Sequence, residues 1–114
     1  MQFTAKSRYI RFSPYKLRPL VDVVRGRRAS YALQWLATYS VKKAVPIRKM
    51  IESAVANAKQ ANVDAQALLI KDIKVDQGPI IRYFKPGAMG RANIYRKRLS
   101  HMSVILESAQ QKKD

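Results

Sequence analysis

Two stretches in the second half of this chain alternate apolar and polar residues with a period of two. In the first, Ile73 and Val75 alternate with Asp72, Lys74 and Asp76; in the second, Met102, Val104 and Leu106 alternate with Ser103, Ile105 and Glu107. Such alternation puts each set on one face of a strand. Between them lies a Pro86-Gly87-Ala88-Met89-Gly90 turn. The economical reading is one very long hairpin, with arms at about 68–85 and 90–107. Each arm is roughly three times the usual strand length. From Gln77 to Ala88 the chain covers roughly 36 Å at ~3.3 Å per residue, whereas a compact domain of this size has a radius of gyration of only ~13 Å. The outer half of the hairpin must project beyond the body.

That projecting half needs a partner. No carboxylate occurs from Gln77 to Leu106, while Arg82, Lys85, Arg91, Arg96, Lys97 and Arg98 all fall inside this segment. A packed core does not accept so many unpaired cations. Over 114 residues, 23 Lys+Arg stand against 7 Asp+Glu, a net charge of +16. A small fold tolerates that self-repulsion when a polyanion neutralises it. A membrane partner is not expected, because no apolar run approaches the ~18 residues of a span. The opening MQFTAKSRYIRF shows no signal-peptide apolar core. The absence of cysteine leaves no disulfides or thiolate metal sites and fits a reducing compartment. The length fits one domain. Its body is expected at about 1–76 and 100–108, its extended hairpin at about 77–99, and a frayed tail at 109–114.

The body reads as helices after a strand. Residues 5–12 alternate, with Ala5, Ser7, Tyr9 and Arg11 on one side and Lys6, Arg8, Ile10 and Phe12 on the other. Ser13 then Pro14 is a helix start, and Leu17, Leu20, Val21 and Val24 make one apolar stripe closed by Gly26 as a left-handed cap. Pro19 predicts a kink or a loose first turn. A second helix is expected over about 30–39, with Ala32, Leu33, Leu36 and Ala37 inward. A third is expected over about 41–61, N-capped by Ser40, with Ala44, Ile47, Ile51, Ala54, Val55 and Ala58 inward and Pro46 strained in its second turn.

Catalytic chemistry finds little support. His101 is the single histidine, has no cysteine partner and lies in a strand pattern. Asp72 and Asp76 are separated by about 13 Å of strand, beyond the ~5 to 9.5 Å of glycosidase carboxylate pairs. We expect no enzyme, no metal and no cofactor. The basic groups say more. Lys42-Lys43 and Lys112-Lys113 fit a solvated face. RGRR (25–28) and RKR (96–98) carry no interleaved acid and read as phosphate contacts. Tyr9, Tyr15, Tyr83 and Tyr95 are candidates either for base stacking or for sheet packing. Charge and arm together point to a protein threaded into folded RNA, with a DNA-bending β-ribbon protein as the alternative.

Six stretches recur here in a distinctive order: SPYKLR (13–18), RGRR (25–28), ESAVANA (52–58), VDQGP (75–79), AMGRA (88–92) and RKRLSH (96–101). Together they resemble the bacterial-type large-ribosomal-subunit protein number 22 family, over residues 4–107. The resemblance implies an α+β fold: three helices on a three-stranded antiparallel sheet, with a long projecting β-hairpin. It implies a cytoplasmic, structural role in the large subunit, with an organelle-encoded copy left open. The implied partners are 23S-type ribosomal RNA, neighbouring large-subunit proteins and, at the hairpin tip, the nascent peptide in its exit tunnel. Carried over by position, Arg82, Tyr83, Lys85, Pro86, Gly87, Ala88, Met89, Gly90 and Arg91 form the tip. Arg96, Lys97 and Arg98 lie on the returning arm, and Arg18, Arg25, Arg27 and Arg28 on the body's RNA-facing helix and loop. Lys6, Arg8, Arg11 and Lys16 complete the candidate RNA contacts. Gly87, Met89 and Tyr83 stand where the family is often basic, so this tip is less positive.

Overall fold

The computed structural model describes residues 2–39, 41–86 and 92–108, with side chains described outside 82–96. In chain order it holds β1 (Gln2–Ile10), α1 (Pro14–Val24), α2 (Ala29–Thr38), α3 (Ala44–Gln60), a short 3₁₀ turn (Ala65–Ala67), β2 (Leu68–Pro86) and β3 (Ala92–Ser108). The strands form one antiparallel sheet in the order β1-β3-β2, so the last of the described strands is central. The three helices cover one face of it, which is the expected α+β architecture. α3 packs on β1, β3 and α2, and α1 packs on β2.

The period-two pattern explains which face is covered. Ile70, Ile73 and Val75 of β2 and Met102, Val104 and Leu106 of β3 are buried, as are Leu17, Leu20, Val21 and Val24 of α1. The inward set expected for α3 is buried in full, and Met50 joins it. Each such large side chain contributes about 1.5–3 kcal/mol by leaving water. α2 is turned slightly from expectation: Ala32 and Leu36 are buried with Ala29, but Leu33 is only half-buried and Ala37 is exposed.

Several local expectations are corrected. Ser13 sits at the N-cap of α1 without a side-chain capping bond; its carbonyl instead accepts from the Lys16 and Leu17 N–H groups at 3.1 and 3.3 Å. α1 is unbroken through Pro19. The carbonyl that Pro19 cannot serve belongs to Tyr15, and both residues lie on the exposed side, where water can hydrogen-bond it. Gly26 is left-handed at φ +81°, but as the third residue of a type II turn rather than a helix cap. Arg25 is extended at φ −63°, ψ 130°, and the Arg27 N–H closes the turn on Val24 O at 3.1 Å. The Gly26 N–H donates to Ile70 O at 3.0 Å and the Ile70 N–H returns to Arg27 O at 2.8 Å, strapping this turn to β2. α3 begins at Ala44, so Pro46 lies in its first turn, where its missing N–H costs no helical bond. Ser40, expected as the cap, lies outside the described residues.

β1 runs earlier than expected, because β3 extends far enough to pair Gln2 with Glu107. Its parity also changes midway. Ala5 and Ser7 face the body, but two β1 residues, Arg8 and Tyr9, stand opposite the single His101 between the pairs Ser7↔Met102 and Ile10↔Ser100. This bulge turns Tyr9 outward, at 62% exposure and φ +58°, and turns Ile10 inward. Two further irregularities lie in β2, one between Ile70 and Asp72 and one between Gln77 and Ile80.

β2 and β3 stay paired from Leu68↔Ser108 to Pro86↔Ala92, bearing out the long hairpin. β1 ends at Ile10↔Ser100, so beyond that point the sheet is a two-stranded ribbon. The principal extents are 73 × 24 × 20 Å and the radius of gyration is 17.7 Å, against about 13 Å for a compact chain of this length. With neither face of the ribbon covered, the adjacent Ile80 and Ile81 are both exposed.

Candidate nucleic-acid interface

Four cations converge where the end of β1, the first turn of α1 and the returning strand β3 meet. Arg11, Lys16, Lys97 and Arg98 line a cleft of about 300 Å³ with Phe12 and Ser13. The walls are held together by Ser100, which is fully buried and whose hydroxyl donates to Phe12 O at 2.6 Å. No acid stands in the first turn of α1 and the Ser13 side chain makes no cap, so the positive end of the helix adds to the same field. All four cations are exposed, and none of them makes an ion pair to a described residue. Lys97 and Arg11 also line a neighbouring hollow of about 330 Å³ with Tyr9, Ile81 and Leu99.

The arginines of the body divide into two kinds. Arg25 points inward on β2: it bonds Asp22 Oδ1 at 2.7 Å and Ile73 O at 2.8 Å, with Asp72 Oδ1 at 3.7 Å. Two carboxylates already balance that guanidinium. Arg18 donates to Val75 O at 3.2 Å and lies 5.7 Å from the Tyr15 ring centroid. Arg27 is 5.2 Å from the Tyr31 ring centroid and exposed, and Arg28 is exposed beside its bridge to Leu69. Arg27 and Arg28 therefore present the RGRR loop's charge to solvent, whereas Arg25 fastens the loop to the sheet.

Lys6 and Arg8 project from the open face of the sheet, the side the helices leave bare. Beside them His101 accepts a hydrogen bond at Nδ1 from the Tyr9 N–H at 3.1 Å, and the two rings meet edge to face at 4.9 Å. At the outer edge, Glu107 is held below its usual carboxyl range by a hydrogen bond from Gln2 and by Lys71, whose Nζ is 3.3 Å away.

On the arm, Arg82 pairs with Arg96 and Lys85 with Asn93 in the backbone register, while Tyr83 faces Tyr95 and Pro86 faces Ala92. Gly87, Ala88, Met89, Gly90 and Arg91 lie outside the described residues, as do the side chains of Arg82, Tyr83, Lys85 and Arg96. Sequence reasoning missed Ser100 as the staple of the cleft and Gly78 as a close-approach position. A Cβ on Gly78 would stand 3.0 Å from Leu99 O. The Gly78-Pro79 pair was the available signal for an irregular strand there. Nothing in the sequence marked Tyr9 as left-handed.

No helix among the described residues is long and apolar enough to cross a membrane. Over residues 5–107 the chain matches the family described as ribosomal protein L22p/L17e. It is 44% identical to the large ribosomal subunit protein uL22 of Desulfitobacterium hafniense (strain Y51) across 106 residues, which is 92% of this chain and 93% of the relative. The uL22 proteins of Syntrophotalea carbinolica and Syntrophomonas wolfei are 46% and 42% identical, over 93% and 98% of this chain and 97% and 100% of theirs. Coverage of that extent takes in both the helical body and the hairpin, and the chain belongs to the ribosomal protein L22p/L17e family, whose members are structural ribosomal proteins and not enzymes.

Proposed function

We propose that this chain is a structural constituent of the large ribosomal subunit in the cytoplasm. It binds 23S-type ribosomal RNA through its body and arm, and its hairpin tip lines the nascent-peptide exit tunnel. The observation that carries the RNA reading is the cleft of Arg11, Lys16, Lys97 and Arg98: four exposed cations, no acid among its lining residues, and a helix N-terminus at its edge. A backbone phosphate satisfies all three. The relatives' name, large ribosomal subunit protein, supports the assembly. Folded RNA is held by shape and phosphate contacts, so no base reading is needed for this grip. Lys6, Arg8, Arg18, Arg27 and Arg28 extend the contact over the body. Arg82, Lys85, Arg91 and Arg96 extend it along the arm.

The chain works as one domain, the body anchoring and the arm reaching between RNA segments and neighbouring proteins. The length of the ribbon supports this division, since 73 Å in one direction exceeds the other two extents threefold. Replacing residues 86–91 by a two-residue Asn-Gly turn tests the tunnel reading. The stability of the free protein changes by less than about 1 kcal/mol, since the described core lies elsewhere. The variant still enters large subunits, because the body's cations remain, but responses to peptides or drugs lodged in the tunnel change. Unaltered responses from a variant that sits in the ribosome would remove the tip from the tunnel wall.

A further inference from the structure

The open face of the sheet holds a hollow of about 320 Å³, lined by Lys6, Arg8, Tyr9, Asp76, His101 and Ser103 among others. We propose that it binds an unstacked guanine base of RNA. The proposal rests on the RNA-binding reading above and adds base recognition to it.

The donor and acceptor pattern selects the base. His101 and Asp76 are cross-strand partners on β3 and β2, and Lys6 pairs with Ser103 on β1 and β3. The Tyr9 N–H donates to His101 Nδ1 at 3.1 Å, so the neutral ring carries its proton on Nε2 and offers a donor there. That hydrogen bond exists because the bulge holds Tyr9 at φ +58°, a costly conformation for a bulky residue. Asp76 is exposed and has no hydrogen bond or ion pair to a described residue, although the chain carries a +16 surplus of cations. The hollow thus presents a free carboxylate beside a fixed N–H donor.

Guanine fits this pair. Its N1–H and N2–H₂ are adjacent donors for one carboxylate, and its O6 accepts from an imidazole N–H. Adenine, cytosine and uracil do not offer two adjacent donors on that edge. A bare phosphate is disfavoured by Asp76. Lys6 and Arg8 stand at the rim for the flanking phosphates, and Tyr9 offers an exposed ring for stacking.

The test measures binding of the full chain to labelled octamers of uridine carrying one central guanine, adenine or cytosine, at a low and a high salt concentration, the three octamers being compared at the same salt. The guanine octamer is expected to bind about tenfold more tightly than the others. Asp76→Asn is expected to reduce that preference to within about twofold. Its affinity for the adenine and cytosine octamers should not fall, since it removes a negative charge, so the loss is confined to the guanine octamer. Lys6→Gln with Arg8→Gln should weaken every octamer by a similar factor and keep the preference. Salt-dependent binding that ignores the central base, or a preference that survives Asp76→Asn, overturns the guanine site and leaves the RNA reading standing. Absence of salt-dependent binding to any octamer overturns both.

Discussion

Gly26 and Gly78 should fail for opposite reasons, and a pair of substitutions separates them. Gly26 has nothing within 4 Å of a built Cβ, but its φ is +81°. Gly26→Ala therefore costs backbone strain alone, about 1–2 kcal/mol for an L-residue forced left-handed. Asn tolerates that region, so Gly26→Asn should recover most of the loss. At Gly78 the obstacle is contact. A Cβ would meet Leu99 O at 3.0 Å, Leu99 C at 3.2 Å and His101 Cε1 at 3.3 Å. Two of these are backbone atoms of the central strand, which cannot swing aside as a flexible side chain would. Overpacking of this kind costs about 1–3 kcal/mol, offset by about 0.4–1 kcal/mol from the stiffer unfolded chain. At the midpoints of these ranges the net for Gly78→Ala is a loss of about 1.3 kcal/mol, and Gly78→Asn should be worse rather than better. Each kcal/mol lowers the melting temperature by roughly 4 °C for a chain of this size, so thermal melts of the four variants resolve the pattern. A neutral Gly78→Ala, or a Gly26→Asn no better than Gly26→Ala, would refute the reasoning.

Three further outcomes follow from named contacts. Glu107 has its carboxyl lowered from 4.5 by the Gln2 hydrogen bond and by Lys71, so its contribution to stability is complete above about pH 4.5 and is lost as pH falls through the folded value; melts across the acid range should show a shallower slope in Glu107→Gln. Arg25→Ala removes the links to Asp22, Ile73 and Asp72 at once, and at a half-exposed position this costs about 1 kcal/mol, which Arg25→Lys does not restore because an ammonium cannot span the three acceptors; urea titration reads both. Amides of Ile80 to Lys85 and Asn93 to Lys97, on the uncovered ribbon, should exchange fast in the free protein and slowly in the assembled subunit, and equal protection in both states would sink the partner-covered arm.

The parts of this fold that repeat were legible in the sequence. The inward positions of α3 and the alternation of Ile73, Val75, Met102, Val104 and Leu106 are fixed by local periodicity, and all are buried. Where one residue breaks the period, reading failed. The bulge at Arg8 and Tyr9 reversed the faces of β1, and it stands opposite His101, distant in sequence. The start of α3 was read three residues too early because its helical pattern has no sharp stop before Lys43. The cations themselves were visible by type, but their convergence was not. Arg11 and Lys97 share a cleft only because β1 pairs with β3, far away in sequence. Arg25 looked like its neighbours in RGRR, yet Asp22, one turn earlier in α1, and Asp72 of β2 occupy it.

The central claim is that exposed cations on this body grip RNA phosphates, and the salt dependence of binding to large-subunit ribosomal RNA tests it most directly. Six to eight phosphate contacts predict a slope of log affinity against log salt of roughly −4 to −7 for the full chain. With Arg11, Lys16, Lys97 and Arg98 all changed to Gln, the slope should become shallower by about 3, at ~0.7–0.9 per phosphate lost. Thermal melts of the variant should stay near those of the parent, since all four side chains are exposed. A slope near zero for the parent, or an unchanged slope in the variant, would contradict the account.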